Sequence, residues 1–336
     1  MEDRKKDHIN LALTNRTGAI EKDTRFIYEP LLSGHTIPQL PQVELAGKTM
    51  KTPLWISSMT GGSGIARHIN TNLAMVAGEF GLGMGLGSCR ILLESEKHLP
   101  DFDMRSVIGE EQPFWANLGI AQLEQMVEKG TMNEVTDMVN LLRCDGLIIH
   151  VNPLQEWFQP EGDRLKHPPL EVIKEVMAQL SMPLIVKEVG QGMGSESLRA
   201  LMELPLAAIE FAAFGGTNFA RVEMMRRPVV EHELFEPMVF VGQTAQEMLN
   251  DMKALLDKGA ENKTPMLIIS GGIRSYLDGY YFIKTSPLPA VYGMASGFLK
   301  HARDNYSSLR EWANSHIDGL KMAHAYLRIR DENGRM

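Results

Sequence analysis

The chain has 336 residues, 44% of them hydrophobic, and a formal net charge of −8 at pH 7. The hydrophobic share supports a large core and excludes a disordered class of protein, and the negative charge argues against nucleic acid and anionic membrane surfaces as partners. No apolar run reaches the roughly 20 residues of a membrane-spanning helix, and the two cysteines, Cys89 and Cys144, give neither a disulfide framework nor metal-ligand spacing.

The N-terminal segment, residues 1–50, is polar and rich in turns, and it contains no long periodic stretch. We expect it to form an irregular arm on the protein surface. Its beginning, from Met1 to His8, is highly charged and lacks the apolar core of a secretory signal. A cytoplasmic protein with free thiols is therefore expected.

From Leu54 onward, short apolar runs alternate with amphipathic stretches, which is typical of repeated βα units. The predicted strands are 54–57, 82–86, 114–117, 146–151, 184–189, 207–211, 266–270 and 290–292. Thr131 with Glu134 and Thr244 with Glu247 have capping-box spacing, and a last helix is predicted over about 307–327. Eight such units predict an α/β fold, the (β/α)8 TIM barrel. We expect a single domain with the arm at 1–50, the barrel at 51–305 and the C-terminal helix within 306–336.

Two connections are long. Residues 152–168 follow the fourth predicted strand, and residues 212–243 follow the sixth. Long loops on the catalytic face of a barrel are often lids that close over the substrate. The sequence leaves open whether these loops are mobile lids or irregular crossovers.

Four polar side chains of different types follow the fourth strand: His150, Asn152, Gln155 and Glu156. Alternation along the strand places His150 and Asn152 on one face. Because Asn152-Pro153 favours an exit into a turn, Gln155 and Glu156 are expected in the loop beyond. The carboxyl ends of the strands carry the active site of a TIM barrel. We therefore interpret this group as the active-site floor.

Glycine turns follow the last two strands. Gly271, Gly272, Ile273 and Arg274 come after strand seven, and Gly293, Met294, Ala295 and Ser296 come after strand eight. Glycine lets the backbone approach an anion, and helix N-termini present N–H groups to it. These are the strands at which TIM barrels commonly bind a phosphate. The alternative is a pair of tight turns without a ligand.

Lys187 lies in a fifth strand that is otherwise apolar. It needs an anionic or hydrogen-bonding partner, because burying an ammonium alone costs about several kcal/mol. That partner is either a ligand or, in the structural alternative, Glu188 or Glu210. With the small polar groups at the other strand ends, Lys187 favours a flat, polar, phosphate-bearing ring, flavin mononucleotide (FMN) before others.

In order along the chain, these motifs resemble those of the type 2, flavin-dependent isopentenyl-diphosphate isomerases. The resemblance runs from Arg4 to about Lys300 and rests on motifs placed at successive strand ends. They are Arg4-Lys5-x-x-His8-Ile9, Met59-Thr60-Gly61-Gly62, Gly87-Ser88-x-Arg90, His150-x-Asn152-x-x-Gln155-Glu156, Gln159-Pro160-Glu161-Gly162-Asp163, Lys187-Glu188-Val189-Gly190-x-Gly192, Gly215-Gly216-Thr217 and Gly271-Gly272-Ile273-Arg274.

The resemblance implies FMN, active in its reduced form, with NADPH as reductant, and a homo-oligomer. It implies that FMN is held by Met59, Thr60, Gly61, Ser88, Asn117, Lys187 and Thr217, with its phosphate at Gly271, Gly272, Ile273, Arg274, Gly293, Met294, Ala295 and Ser296. It implies contacts to isopentenyl or dimethylallyl diphosphate from Arg4, Lys5, Ser88, Cys89, Arg90, His150, Asn152 and Gln155. It also implies a Mg²⁺ on Glu156, bridging to the diphosphate.

Some positions depart from the family pattern. Cys89 replaces the usual glutamine between Ser88 and Arg90, and Tyr276 stands where a small residue is common. We expect the first change to tune substrate binding without abolishing it, because the serine and the arginine remain. Residues 218–243 match the family less closely.

Interconversion of the two diphosphates moves a double bond without net redox change, so one carbon gains a proton and another loses one. Our hypothesis is that reduced FMN is the main acid–base and that Gln155 assists. A neutral amide does not titrate near pH 7, so Gln155 would relay or orient protons. His150, as a cation or a hydrogen-bond donor, would hold the diphosphate, unless it is only a hydrogen-bonded histidine of the barrel.

Three other functions stay open. An FMN-dependent oxidoreductase of the 2-hydroxy-acid oxidase type shares the fold and cofactor, but it needs a catalytic histidine late in the barrel. No histidine lies between His232 and His301, and neither is expected at a strand end. A dehydrogenase that acts through Cys89 needs a thiol with a lowered pKa. A flavin-binding protein without turnover needs neither Gln155 nor Glu156.

Overall fold

The computed structural model describes residues 2–35, 39–62 and 64–330. At its centre, eight parallel strands close into a barrel in which each strand pairs with the next and the eighth pairs with the first. The strands are Leu54–Ile56, Gly83–Gly85, Phe114–Gly119, Gly146–His150, Leu184–Lys187, Ala208–Glu210, Leu267–Ser270 and Ala290–Met294. The predicted (β/α)8 TIM barrel is thereby confirmed, and each predicted strand overlaps an observed one.

Helices surround the strands because their apolar stripes pack against the outside of the sheet. They are Ala66–Phe80, Arg90–Glu94, Leu99–Phe102, Arg105–Ile108, Ile120–Lys129, Met132–Leu141, Pro153–Phe158, Pro169–Gln179, Ser195–Met202, Phe219–Met225, Val229–Val239, Ala245–Asp257, Tyr276–Thr285, Ser296–Ala302 and Tyr306–Tyr326, with a 3-10 turn at Glu96–His98. The capping box of Thr244 and Glu247 is present. The prediction of a capping box at Thr131 and Glu134 was wrong, since the Thr131 side chain makes no capping hydrogen bond.

The inside of the barrel has an apolar layer below a polar one. Trp55, Trp115, Ile148, Ile185, Ala208, Ile268 and Val291 form the apolar layer. Strand alternation places the residues two positions further along on the same face. These are Ser57, Asn117, His150, Lys187, Glu210, Ser270 and Gly293. The polar layer therefore lies at the carboxyl ends of the strands, where it can line a site.

The N-terminal segment is more regular than expected. It contains a helix, Glu2–Ala12, a 3-10 turn, Ala19–Glu21, and three short strands, Phe26–Tyr28, Val43–Leu45 and Lys48–Met50. The last two form a hairpin whose Leu45 and Met50 pack on the apolar layer of the barrel. The prediction of an irregular arm over 1–50 was therefore wrong for the hairpin, which covers the amino ends of the barrel strands.

Both long connections contain helices. Residues 152–168 begin with Pro153–Phe158, so Gln155 and Glu156 lie on a helix, and the prediction of a loop there was wrong. Proline suits the first helical position, because its missing N–H would have no intrahelical partner there. Residues 212–243 contain Phe219–Met225 and Val229–Val239, and their Met224 and Val239 pack against Phe158. The two connections thus cover one another beside the barrel mouth.

The C-terminal helix Tyr306–Tyr326 packs on the outside of the barrel and leads to a strand, Leu327–Ile329, that pairs with Phe26–Tyr28. Its Gly319 faces the ring of Tyr276, and a Cβ at Gly319 would overlap that ring. The unusual Tyr276 is thus accommodated by a glycine in a distant helix. No helix within the described ranges is long and apolar enough to cross a membrane.

Candidate active site

A cavity of about 540 Å³ opens at the carboxyl ends of the strands. The predicted cofactor-binding residues in its lining are Met59, Lys187, Thr217, Gly271, Gly272, Ile273, Arg274, Gly293, Met294, Ala295 and Ser296. Thr60, Gly61, Ser88 and Asn117 were predicted to belong with them but do not line this cavity. Its size falls within the range of small-molecule sites.

The turn after strand seven needs its glycines. Gly271 and Gly272 have positive φ angles of 88° and 73°. A Cβ on Gly271 would overlap the backbone of Ala213, so only glycine lets the turn approach the sixth strand. The carboxylate of Asp278 accepts hydrogen bonds from the N–H groups of Arg274 and Ser275, at 2.9 and 3.0 Å. An anion in this turn therefore has to use other donors, such as the exposed Arg274 side chain.

Lys187 is buried, with 6% of its surface exposed, and its ammonium donates to the backbone carbonyl of Glu188 at 2.9 Å. No carboxylate among the described residues lies within the 4.0 Å of an ion pair with it. The structural alternative, an ion pair with Glu188 or Glu210, is therefore not formed. Lys187 faces the cavity with its charge unpaired.

Glu188 has a positioning role that the sequence did not reveal. Its buried carboxylate accepts hydrogen bonds from the N–H groups of Gly190, Gln191 and Gly192. Burial raises its pKa, and these three N–H groups counteract that effect. The carboxylate thereby orders the turn after strand five. This turn lies close to Thr217, because a Cβ at Gly190 would overlap the Thr217 backbone.

The loops after strands one and two lie against each other, because a Cβ at Gly87 would overlap the backbone of Thr60. Ser88 is half-buried and Arg90 is exposed, with its guanidinium 3.2 Å from the carboxylate of Asp163. The Cys89 side chain points into the core and is 0% exposed, so the prediction that it contacts substrate was wrong. Burial also raises the pKa of its thiol to about 12, which excludes a reactive thiolate.

His150 and Asn117 form a pair, with His150 Nδ1 2.6 Å from Asn117 Oδ1. Burial and the positive charge of Lys187 lower the pKa of His150 to about 3. Of the two forms expected, a cation or a hydrogen-bond donor, the ligand-free protein therefore favours the neutral one, and the contact to the diphosphate stays a prediction. Its neutral ring fits over Gly119, where a Cβ would lie 2.8 Å from Nε2.

Asn152, Gln155 and Glu156 come together at the start of the helix Pro153–Phe158. The Asn152 amide donates to Glu156 Oε1 at 2.9 Å and to Gln155 Oε1 at 3.2 Å. Glu156 Oε2 accepts from the N–H of Asp163 at 2.9 Å, which closes the segment 156–163. The described residues contain no group of three or more His, Cys, Asp or Glu side chains able to hold a metal ion. A cation here would take most of its ligands from substrate and water.

Asp163 is a second residue whose role the sequence did not reveal. Its carboxylate accepts hydrogen bonds from the side chains of Arg90, Gln122 and Gln125, at 3.1 to 3.2 Å. It thereby links the loop after strand two, the helix after strand three and the segment after strand four. Because Asp163 also bonds to Glu156, it fixes Arg90 relative to the predicted metal ligand.

Arg4 and Lys5 are not brought to the cavity. Both lie on the helix Glu2–Ala12 and are exposed. Most of the other predicted residues form two neighbouring groups, the cavity and the His150–Glu156 group. Lys187 connects them, since it lines the cavity and pairs with His150 in the sheet.

A closed (β/α)8 barrel with a glycine-lined cavity at the carboxyl ends of its strands places the protein in the TIM-barrel class. No family model matches the chain. Among solved structures, the fold is similar to a mandelate oxidase variant with a monooxide FMN adduct (13% identity, TM-score 0.53, 90% of this chain and 87% of that one). It is also similar to a flavocytochrome b2 variant with benzoylformate (12% identity, TM-score 0.62, 89% and 71%). At these identities the similarity shows the fold alone.

Curated relatives show the family. The isopentenyl-diphosphate delta-isomerase of Rickettsia peacockii (strain Rustic) is 34% identical over 325 residues, which cover 95% of this chain and 92% of the relative. That of Rickettsia prowazekii (strain Madrid E) is 33% identical over the same coverage. The chain belongs to the isopentenyl-diphosphate delta-isomerase family. The resemblance inferred from the motifs and the prediction of an isomerase are thereby confirmed.

Proposed function

We propose that this protein interconverts isopentenyl diphosphate and dimethylallyl diphosphate, with reduced FMN as the acid–base and Mg²⁺ holding the diphosphate. The observation that carries the proposal is the position of Lys187, whose unpaired charge faces the glycine-lined cavity next to the His150–Glu156 group. This arrangement suits two adjacent ligands, a phosphate-bearing ring and a diphosphate substrate.

The residues present fit FMN. Gly215 and Gly271 in turns and Gly293 in the eighth strand line the cavity, and a Cβ at Gly271 or Gly293 would overlap neighbouring protein atoms, so bare backbone forms this part of the wall. Glu210 Oε2 is buried beside it without a hydrogen-bond partner, so it can accept a donor from a ligand. Reduced FMN, when bound, supplies an electron-rich ring and an exchangeable proton. Lys187 would hold the ring, and Arg274 with the backbone of residues 271–274 and 293–296 would hold the phosphate.

The chain's own residues orient the substrate. Gln155 is half-buried, and its Oε1 is held by the Asn152 amide, so the Gln155 amide is fixed in direction. A fixed neutral amide can pass or orient a proton without carrying charge. His150 starts neutral, and a diphosphate beside it would raise its pKa, because a nearby anion favours the protonated ring. Substrate binding would then be coupled to proton uptake.

Glu156 fits Mg²⁺ in a limited way. Mg²⁺ in proteins commonly binds one or two carboxylates together with substrate phosphates and waters. Glu156 provides one carboxylate, and its two oxygens already accept one hydrogen bond each, which fixes its orientation. The diphosphate and water molecules would therefore supply the remaining ligands of the Mg²⁺ ion. Its contacts from Ser88, Arg90, Arg4 and Lys5 stay predictions, as do NADPH as reductant, the homo-oligomer and the cytoplasmic location.

The structure gives little support to the other functions. The cavity lining includes no histidine among the described residues. His232 bonds to the Arg227 carbonyl on an outer helix, and His301 stacks on Trp312 outside the barrel. A 2-hydroxy-acid oxidase would lack its catalytic histidine. The buried Cys89 thiol disfavours a cysteine-dependent dehydrogenase, and a flavin binder without turnover would not need the ordered Gln155 and Glu156.

The experiment that tests the proposal compares two activities of the purified protein loaded with FMN. Anaerobic incubation with reduced FMN, Mg²⁺ and isopentenyl diphosphate should form dimethylallyl diphosphate. Aerobic incubation with a series of 2-hydroxy acids should consume no oxygen. Oxygen consumption without isomerisation would favour the oxidase, and FMN binding without either activity would favour the non-catalytic flavin binder.

A further inference from the structure

The polar layer of the barrel contains a carboxylate to which the proposed mechanism assigns no step. Glu210, in the sixth strand, is 0% exposed and lines the cavity. Its Oε1 accepts hydrogen bonds from Ser57 Oγ at 2.6 Å and from Ser270 Oγ at 3.0 Å. Its Oε2 has no hydrogen-bond partner in the described part of the chain. Burying a carboxylate oxygen without a hydrogen-bond donor costs free energy, so we expect a bound ligand to supply the donor.

The surroundings hold this carboxylate in place. Ser270 Oγ donates to Glu210 and accepts from the N–H of Ala212 at 3.0 Å, so it cannot turn away without losing a bond. Gly293 leaves room for the two serines, since a Cβ at this position would lie 2.5 Å from Ser57 Oγ and 2.8 Å from Ser270 Cβ. Lys187 lies opposite Glu210 on the neighbouring strand, but its ammonium donates a hydrogen bond to a backbone carbonyl and not to the Glu210 carboxylate. Glu210 Oε2 is thus a fixed acceptor beside the cavity.

The position of this acceptor indicates which part of a ligand it meets. Ser270 directly precedes the glycine turn at Gly271, and Gly293 lies near the end of the eighth strand, so Glu210 lies next to the predicted phosphate site. Lys187, the predicted contact of the ring, lies on the neighbouring strand. Between a ring and a phosphate, a flavin has a chain of hydroxyl groups, each of which can donate a hydrogen bond.

We propose that Glu210 accepts a hydrogen bond from a hydroxyl of the ribityl chain of bound FMN and so selects flavins with an intact chain. This inference rests on the proposed function. A carboxylate suits the task because charge-assisted hydrogen bonds are stronger than neutral ones. A ligand that lacks the hydroxyl would leave Glu210 Oε2 buried and unpaired, and the site would reject it.

The test is a binding cycle on the protein freed of flavin. FMN and its analogues that lack one ribityl hydroxyl each are titrated by flavin fluorescence into wild type, Glu210→Leu and Glu210→Gln. Glu203→Gln is the control, since the Glu203 side chain is 43% exposed and pairs with Arg199. We expect one analogue to bind wild type and the control about 10–100-fold more weakly than FMN. In Glu210→Leu that difference should vanish, and in Glu210→Gln it should shrink.

Two results would overturn the inference while leaving the proposed function intact. In the first, wild type binds every analogue as tightly as FMN. In the second, the Glu210 variants weaken FMN and all analogues by the same factor, which would assign Glu210 a purely electrostatic or structural role. If wild type binds neither FMN nor any analogue, the proposed function fails and the inference fails with it. If Glu210→Leu does not fold, Glu210→Gln decides the question alone.

Discussion

Replacing Lys187 by methionine should weaken flavin binding without weakening the ligand-free fold. Lys187 is 6% exposed, and its ammonium has no carboxylate partner among the described residues and donates only to one backbone carbonyl. Methionine keeps most of the volume and removes the charge. Losing a charge-assisted hydrogen bond to FMN costs about 1.5–3 kcal/mol, or roughly 10- to 150-fold in the dissociation constant. Removing an isolated buried charge should leave the free energy of unfolding unchanged or raise it.

The assays are flavin fluorescence titration and urea unfolding of the ligand-free protein. Lys166→Met is the matched control, because Lys166 is exposed and pairs with Glu128, so both quantities should stay unchanged. The pKa of His150, followed by NMR, should rise in Lys187→Met, because the positive charge of Lys187 contributes to its lowering. The reasoning is refuted if FMN affinity is unchanged while unfolding becomes about 3–5 kcal/mol easier, as expected for a broken buried ion pair.

Three further predictions concern the substrate site and the core. Glu156→Gln should raise the Mg²⁺ concentration for half-maximal activity at least about tenfold, since it removes the carboxylate charge; equal Mg²⁺ dependence in Glu156→Gln and the exposed control Glu161→Gln would contradict the metal assignment. Gln155→Asn should slow turnover on the order of 100-fold with unchanged FMN affinity, and undiminished turnover would remove Gln155 from the mechanism. Burial lowers the pKa of His316 to about 4, so its contribution to stability is full above pH 6.5 and is lost as the pH falls from 6.5 to 4. Wild type should therefore lose about 3 kcal/mol more than His316→Gln over that range in urea unfolding, and parallel pH profiles would refute this.

The barrel could be predicted from the sequence because buried parallel strands are continuous apolar runs bounded by turn residues. The hairpin at Val43–Leu45 and Lys48–Met50 could not. Its strands are three residues long, too short for periodicity to register. Its turn uses positive φ angles at Ala46 and Gly47, and an Ala-Gly pair is a weaker hairpin signal than Asn-Gly. Its partners in the barrel floor lie far along the chain.

The candidate site was predictable where a motif sits at a strand end and unpredictable where partners come from different strands. Gly271 and Gly272 lie in a turn with positive φ angles, as the choice of glycine at these positions predicted. Nothing in the sequence indicated that Glu210 would accept hydrogen bonds from Ser57 and Ser270, because these residues meet only when the barrel closes. Cys89 was misplaced for a related reason, since its position between two site residues does not show which way its side chain points.

The redox state of the flavin provides the most direct test of the central claim, that this barrel binds FMN and uses it for proton transfer. The rate of conversion of isopentenyl diphosphate is measured anaerobically, with Mg²⁺, on the same FMN-loaded protein before and after reduction with dithionite. The account predicts turnover only after reduction, with the flavin still reduced when the substrate has reached equilibrium. Equal turnover with oxidised FMN, or with no flavin bound, would contradict it.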